Sequence, residues 1–257
     1  MANDLEYALM AGRAYFTTRG AVNRFPDSIN GWEEIDDKDT PDTGFEARTF
    51  RRGNEIVIAY AGTYPPSGAD LHADAALGTG QYSEQLLQAA DYYLFIKDHP
   101  DYAGATISLT GHSLGGGLAA LIGVFFDVSA RVFAQAPFAP AARYNQLDDP
   151  GGNSQIDVAT RVYSELLAMG HTASDLTTFD SYLQQRGEDP LLIPNAGRVS
   201  GIRVSGDFLG ATLHNIIGAP QLELAPRGTA GPVDRHSHTL LTALLHNGRA
   251  FLGTTQA

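Results

Sequence analysis

The sequence contains no cysteine among its 257 residues, which excludes disulfide bonds, a thiolate nucleophile and a thiolate zinc site. It is also poor in basic residues, because 17 lysines and arginines stand against 29 aspartates and glutamates, for a formal net charge of −12. Nucleic acids and anionic membranes attract clustered positive charge, and no basic run occurs here. We therefore expect neither nucleic acid nor an electrostatically bound membrane surface as a partner.

Long apolar segments are missing as well. No stretch approaches the roughly 18 apolar residues that span a bilayer, and the N-terminus lacks the basic and apolar regions of a signal peptide. We expect a soluble protein, cytoplasmic or secreted without a leader, and the composition does not decide between these. Hydrophobic residues at 43% predict a sizeable core, and no boundary divides residues 1–257, so we expect a single domain.

A glycine-rich stretch, Ile107–Leu121, holds the strongest chemical signal. The apolar run Thr106–Leu109 leads into Gly111-His112-Ser113-Leu114-Gly115, and alanines and leucines follow at helical spacing. This order predicts a strand, a tight turn and a helix, in which the turn lifts the serine hydroxyl clear of the sheet. The pattern indicates Ser113 as a nucleophile and the backbone N–H of Leu114 as an oxyanion donor, the alternative being an ordinary glycine-rich turn.

The residues upstream predict a second donor. Phe45–Arg52 and Glu55–Tyr60 have the pattern of a β-hairpin, and the second strand ends in a glycine turn. A buried strand that ends in such a turn supplies a backbone N–H to the oxyanion, here that of Thr63, although a plain β-turn is the alternative. Residues 64–80 are small and weakly apolar, and we expect a mobile loop or short lid beside the site.

Three further segments are scaffold in this interpretation. Asn3 is the expected cap of a helix from Asp4 to about Phe16, and Ser83–Lys97 has apolar residues at helical spacing. The acidic run Asp36–Asp39 is interpreted as a solvated turn rather than a cation site.

The chain resembles the class 3 lipases, a branch of the α/β-hydrolase fold. Gly62-Thr63, the sequence TGHSLGG at Thr110–Gly116, the sequence VFAQAP at Val132–Pro137 and a late histidine carry the resemblance, in the order of that family. It implies an α/β fold with a mostly parallel central sheet and flanking helices. Tyr60-Ala61 stands where an aromatic-arginine pair is more usual, which leaves the substrate class open.

A serine nucleophile needs an acid and a base, which this fold supplies in the order serine, acid, histidine. Arg198–Ser205 has strand character and is followed by Asp207, a carboxylate at a strand end, which we take as the acid. Its alternative role is to cap the following turn. Asp234 and Asp189 are the other candidates, the first close in sequence to the best histidine and the second in a loop before proline.

His236 is the expected base, because it lies in a glycine- and proline-rich loop just before a helical run and matches the late His-Ser pattern of the family. His238 and His214 are the alternatives, whereas His246 has the position of a helix C-cap. His112, next to the nucleophile, is interpreted as a packed or hydrogen-bonded structural histidine.

Residues 141–197 have the pattern of an insertion with two helices, Gln155–Met169 and one capped by Ser174 that runs to about Arg186. Insertions in this fold sit over the carboxyl ends of the strands, so we expect a helical cap that walls the acyl pocket. A packing hairpin remote from the site is the alternative.

The sequence as a whole predicts a serine carboxylic-ester hydrolase that forms an acyl-enzyme and needs no cofactor or metal. The resemblance implies lipid esters, as for a triacylglycerol lipase or esterase in lipid degradation. Phospholipase A1-type cleavage, feruloyl or polyester hydrolysis and acyl transfer are alternatives, as is a catalytically dead module that binds lipid or a partner. We expect at most transient contact with a lipid interface, and the oligomeric state stays open.

Overall fold

The structure, a computed structural model, describes residues 1–16, 25–62, 83–143, 157–189, 191–209, 221–226 and 231–252. The helices in these ranges are α1 (Asp4–Arg13), α2 (Glu84–Asp98), α3 (Leu114–Phe125), α4 (Ala139–Ala142), α5 (Val158–Ala168), α6 (Thr177–Glu188), α7 (Pro232–Arg235) and α8 (His238–Leu252). The strands are β1 (Glu33–Thr40), β2 (Phe45–Arg52), β3 (Glu55–Tyr60), β4 (Thr106–His112), β5 (Ala130–Phe133), β6 (Val199–Val204) and β7 (Gln221–Leu224). Short 3₁₀ turns lie at Pro100–Tyr102 and Ala196–Arg198.

The strands described here form one sheet in chain order, from β1 at one edge to β7 at the other. The first three strands pair antiparallel, and β3 to β7 pair parallel. Parallel neighbours require a crossover, which α2 supplies between β3 and β4 and α3 supplies between β4 and β5. The predicted α/β-hydrolase architecture, a mostly parallel sheet with flanking helices, is confirmed.

Each face of the sheet covers a separate hydrophobic core, and the alternation of β3 displays the division. Ile56, Ile58 and Tyr60 contribute to the larger core, which includes residues of α2, α3, α5 and α6. Val57 and Ala59 point to the opposite face and pack with residues of α1 and α8. Because successive strand residues face opposite sides, helices on both faces bury the strand from Ile56 to Tyr60.

Helix α1 lies against the strand that leads to Ser113. Its start carries the predicted cap, since the Asn3 side chain accepts a hydrogen bond from the N–H of Glu6 at 3.0 Å and the Asn3 N–H donates one to the Glu6 carboxylate at 2.9 Å. Asp4 pairs with Arg131 of β5 at 2.9 Å, and the hydroxyl of Thr110 in β4 donates to a carbonyl of α1 at 3.3 Å. These contacts fix α1 against β4 and β5.

The acidic run Asp36–Asp39 is part of strand β1, so the turn predicted there is wrong. Antiparallel pairing with β2 holds the segment extended, and its position at the sheet edge leaves several of its charged side chains in solvent. Asp37 also pairs with Arg48 of β2 at 3.0 Å. Local composition indicated a turn because aspartate is rare in strands, and the pairing partner overrides that preference.

The two helices of the segment 141–197 pack into the larger core. Phe179 of α6 is fully buried and stacks on Phe125 of α3 with ring centroids 4.6 Å apart. Arg186 of α6 is 1% exposed and donates to the carboxylate of Asp157, the N-cap of α5, at 2.6 Å. The described parts of these helices thus form a layer beside α2 and α3, and their expected role as a cap stays a prediction.

Across the ranges given above, no helix is both long enough and apolar enough to cross a bilayer.

We predict that Phe179→Ala lowers the free energy of unfolding by about 3–5 kcal/mol, because it empties a fully buried ring site in the core. Phe95→Ala is the control, since that ring is 51% exposed, and we expect it to cost within about 1 kcal/mol. Urea denaturation followed by circular dichroism measures both. Equal, small effects would show that α6 is not an integral layer of the core.

Candidate active site

Ser113 occupies the sharp turn between β4 and α3. Its backbone has φ 57° and ψ −126°, a conformation that a residue with a side chain rarely adopts. Three backbone hydrogen bonds hold it there: the Ser113 N–H donates to Phe133 at 3.1 Å, and the Ser113 carbonyl accepts from Gly117 at 3.1 Å and Ala136 at 2.8 Å. The turn presents the hydroxyl at the carboxyl edge of the sheet, as expected for a nucleophile in this fold.

Two glycines make the turn sterically feasible. A Cβ on Gly115 would lie 2.2 Å from the carbonyl oxygen of Tyr60, and one on Gly111 would lie 2.3 Å from the carbonyl oxygen of Gly115.

Tyr60 is itself fully buried and donates to the Ala89 carbonyl at 3.0 Å. Burial raises the pKa of Tyr60 well above its ordinary value, so its hydroxyl stays a neutral donor.

Asp207 follows β6 at the same edge of the sheet. Gly206, with φ 79°, turns the chain, and the N–H of Asp207 donates to Val204 at 3.0 Å. One carboxylate oxygen of Asp207 accepts the N–H of Leu209 at 2.8 Å, as a turn cap would. The side chain is 1% exposed, and its second oxygen faces the imidazole of His236.

His236 lies between the other two side chains. Its Nδ1 is 2.7 Å from the Asp207 carboxylate and its Nε2 is 2.9 Å from the Ser113 hydroxyl oxygen. Because a carboxylate only accepts, Nδ1 carries the proton and Nε2 is left to accept the serine proton. The structure thus brings Ser113, Asp207 and His236 into one hydrogen-bonded row.

The alternative acids and bases have other partners. His238 approaches the Ala8 carbonyl with Nε2 at 2.7 Å, and the exposed Asp234 accepts the Gly231 N–H at 3.2 Å. Asp189 caps a turn through the N–H of Leu191 at 2.9 Å. Each of these three side chains thus has a hydrogen-bond partner other than Ser113 or His236. His246 is an exposed residue of α8, and His214 lies outside the described residues.

Of the two expected oxyanion donors, Leu114 lies within the described residues and Thr63 does not. Leu114 is the first residue of α3, where the N–H groups have no partner within the helix and the helix dipole is positive. A Cβ on Gly62 would lie 3.1 Å from the Leu114 nitrogen and 2.7 Å from the His112 carbonyl, so the turn after β3 passes close to this amide. Thr63 and the loop 64–80 lie outside the described residues, and their roles stay predictions.

Sequence reasoning missed two aromatic contacts near the site, one to His236 and one to His112. The ring of Phe208 meets the His236 ring edge-on with centroids 4.9 Å apart, and the Tyr15 hydroxyl lies 3.2 Å from Nδ1 of His112. Tyr15 lies in the segment that the sequence predicts to be a scaffold helix, from Asp4 to about Phe16. Its contact joins residues 97 positions apart, which no local pattern can reveal.

No group of three or more histidine, aspartate or glutamate side chains suited to a metal ion occurs within the residues described.

Comparison with known proteins gives one family and several solved structures. A model of the phospholipase-like family described as the Tle-like phospholipase domain matches residues 7–155, more than half of the chain. Lipase II from Rhizopus niveus is 16% identical with a TM-score of 0.48, covering 89% of this chain and 81% of that one. The Rhizomucor miehei lipase in its propeptide complex is 15% identical with a TM-score of 0.41, covering 94% and 77%. Carboxyl esterase 2 from Tuber melanosporum is 14% identical with a TM-score of 0.34, covering 88% of each.

We predict that a fluorophosphonate probe labels Ser113, and that Asp207→Asn slows this labelling roughly 10⁴-fold, because the amide holds the imidazole in the wrong tautomer. Asp234→Asn is the matched control, since it removes an equal charge from an exposed turn two residues from the base, and we expect it to label at the wild-type rate. Intact-mass spectrometry over time measures the rates, and peptide mapping identifies the labelled residue. Equal rates in the two variants would reject Asp207 as the acid.

Proposed function

The chain belongs to the family of the Tle-like phospholipase domain, a family of lipid ester hydrolases, and from this premise we propose that it cleaves carboxylic esters through an acyl-enzyme on Ser113. The observation that carries the proposal is the row of two hydrogen bonds, 2.9 Å from the Ser113 hydroxyl to His236 and 2.7 Å from His236 to Asp207. These distances suit proton transfer from the hydroxyl as it attacks.

In the first half of the reaction, the Ser113 oxygen attacks the ester carbonyl and His236 Nε2 takes the hydroxyl proton. The tetrahedral intermediate carries its negative charge on the former carbonyl oxygen, which the N–H groups of Leu114 and Thr63 stabilise. The intermediate collapses, His236 gives its proton to the leaving alcohol, and the acyl group stays on Ser113. In the second half, His236 Nε2 takes a proton from the water that attacks the acyl carbon. The second tetrahedral intermediate then collapses with cleavage of the bond to the Ser113 oxygen, His236 returns the proton to that oxygen, and the carboxylic acid leaves.

Asp207 acts on the imidazole rather than on the substrate. Its carboxylate accepts from Nδ1 and so directs the lone pair of Nε2 toward Ser113. It also stabilises the imidazolium that forms in each half reaction. Because the Leu209 N–H fixes the other carboxylate oxygen at 2.8 Å, the acid holds one orientation during this cycle.

For the substrate, the family favours the acyl esters of phospholipids over those of triacylglycerols. The family description names phospholipases, and among the alternatives expected from the sequence it supports a phospholipid substrate. Acyl transfer to an acceptor other than water uses the same acyl-enzyme and differs only in the second half reaction. A catalytically dead binding module would not need three side chains held at hydrogen-bonding distances.

We also propose that residues 1–257 form one domain, because the described helices cover both faces of one sheet. We propose as well that the segment 141–197 forms the helical cap expected from the sequence. The helices α5 and α6 contact α2, α3 and α4 along the larger core.

The proposed function is tested with an ester panel at matched acyl chains: a phosphatidylcholine in mixed micelles, a triacylglycerol and a p-nitrophenyl ester. We predict release of fatty acid from the phospholipid at a higher kcat/KM than from the triacylglycerol, and a loss on the order of 10⁴-fold or more in Ser113→Ala. Ser129→Ala is the control, because this serine is exposed in the loop before β5, and it should retain full activity.

A Ser113→Ala protein that keeps its rate would reject the nucleophile. A triacylglycerol preference would retain the mechanism and overturn the substrate class, and the absence of fatty acid release from every ester would reject the proposed activity.

A further inference from the structure

We propose that His112 is a positioning residue that holds the catalytic base through its backbone, in a hydrogen-bonded chain from Tyr15 through the His112 ring to the carbonyl of His236. The inference rests on the proposed function, in which His236 moves the proton. It gives the histidine beside the nucleophile a task that packing alone does not explain.

The chain is short and buried. Nε2 of His112 lies 2.8 Å from the His236 carbonyl oxygen, and Nδ1 lies 3.2 Å from the Tyr15 hydroxyl. Tyr15 and His112 are only 3% and 6% exposed. In such an environment each hydrogen bond is stronger than in water, and a missing partner is costly.

The partners determine where the protons are. The His236 carbonyl can only accept, so Nε2 of His112 carries a hydrogen and donates it. In the neutral ring Nδ1 is then an acceptor, and the Tyr15 hydroxyl donates to it. The same hydroxyl lies 3.2 Å from the His112 carbonyl and shares its hydrogen between the two acceptors. The His236 carbonyl therefore selects the tautomer of His112, and Tyr15 supports that tautomer by donating to Nδ1.

The backbone of His236 needs such an external contact. It caps α7, a helix of four residues, and its N–H bonds within that turn to Val233 at 3.0 Å. A single helical turn has little stability of its own, because nucleation costs more than one hydrogen bond returns. Asp207 fixes the imidazole ring, whereas the hydrogen bond from His112 fixes the peptide from which the ring extends.

Ring contacts of His112 with His236 and His238 add to the hydrogen-bonded chain. The ring of His112 lies between those of His236 and His238, with centroids 4.9 Å and 4.5 Å away. His238 begins α8 and contacts the Ala8 carbonyl of α1 through Nε2 at 2.7 Å. Tyr15 follows the end of the same helix. Helix α1 thus supports the base segment at two points.

Substitutions of His112 should have different effects on catalysis if the ring only fills space than if it positions His236. An apolar side chain of similar size could fill the space, but it would leave the His236 carbonyl without this donor. Glutamine can place an amide N–H near the position of Nε2 and restore the donor. The comparison of leucine with glutamine therefore separates the hydrogen bond from the packing.

The test compares His112→Leu, His112→Gln and Tyr15→Phe on the p-nitrophenyl ester. We expect His112→Leu to lower kcat about 10²-fold with KM nearly unchanged, because small displacements of a base have effects of this size. His112→Gln should recover at least about ten-fold of that loss, and Tyr15→Phe should lower kcat about five-fold, the loss of one hydrogen bond.

Tyr7→Phe is the matched control. Tyr7 is a buried tyrosine within α1, and its hydroxyl donates to the Ser108 hydroxyl at 3.0 Å rather than to His112. Its removal costs a similar hydrogen bond, so both variants should melt at similar temperatures while Tyr7→Phe keeps the wild-type kcat. Tyr15→Phe also keeps its ring, so it tests the inference even where His112→Leu fails to fold.

Three results would overturn the inference: an unchanged kcat in folded His112→Leu, no recovery in His112→Gln, or equal kcat in Tyr15→Phe and Tyr7→Phe. Failure of the proposed function is distinguishable, because Ser113→Ala would then keep its rate. The downfield proton resonance of His236 Nδ1–H reports the positioning without catalysis. We expect it to broaden or shift in His112→Leu and to return in His112→Gln, and a spectrum unchanged in both would contradict the inference.

Discussion

The backbone strain at Ser113 is the constraint on which the rest of the site depends. A non-glycine residue at φ 57° and ψ −126° is unfavourable by about 1–3 kcal/mol, and the surroundings must supply that energy. They do so through the hydrogen bonds from β5 and α3 and through the glycines that let β3 and α3 approach each other. The strain orients the hydroxyl toward His236, the proposed base, which lies 123 positions further along the chain.

That base is placed by elements far apart in sequence. Asp207 reaches it from the end of β6, and α7 carries it at the carboxyl edge of the sheet. Helix α1 lies on the face of the sheet opposite α3 and touches both sides of the arrangement, through Tyr15 and through Ala8. The proposed catalytic row therefore depends on the core between the sheet, α1 and α8 as much as on the larger core on the opposite face.

Local patterns predicted much of this. The elbow at Ser113, the cap at Asn3 and the hairpin of β2 and β3 follow from spacing and turn chemistry within a few residues. Asp207 and His236 were selected because a strand end and a glycine-rich loop suit an acid and a base, and the structure places both beside Ser113. The resemblance to lipases is confirmed by the match to a phospholipase-like family.

Contacts between residues far apart in the sequence determine the features that local patterns did not predict. An amphipathic pattern indicates that one face of α5 or α6 is buried, but it does not say whether the neighbour is the core or a pocket. The acidic segment Asp36–Asp39 became a strand because β2 pairs with it. The contact between Tyr15 and His112 joins the first helix to the nucleophile turn, and no spacing rule covers such a distance.

The central claim is that ester cleavage passes through one acyl intermediate on Ser113. This is measured by hydrolysing esters of one acid with different leaving groups in the presence of hydroxylamine. A shared acyl-enzyme partitions between water and hydroxylamine in the same ratio whichever leaving group has departed. We predict one constant ratio of hydroxamate to free acid across the p-nitrophenyl, phenyl and alkyl esters, with no product in Ser113→Ala. A ratio that changes with the leaving group, or product formation without Ser113, would contradict it.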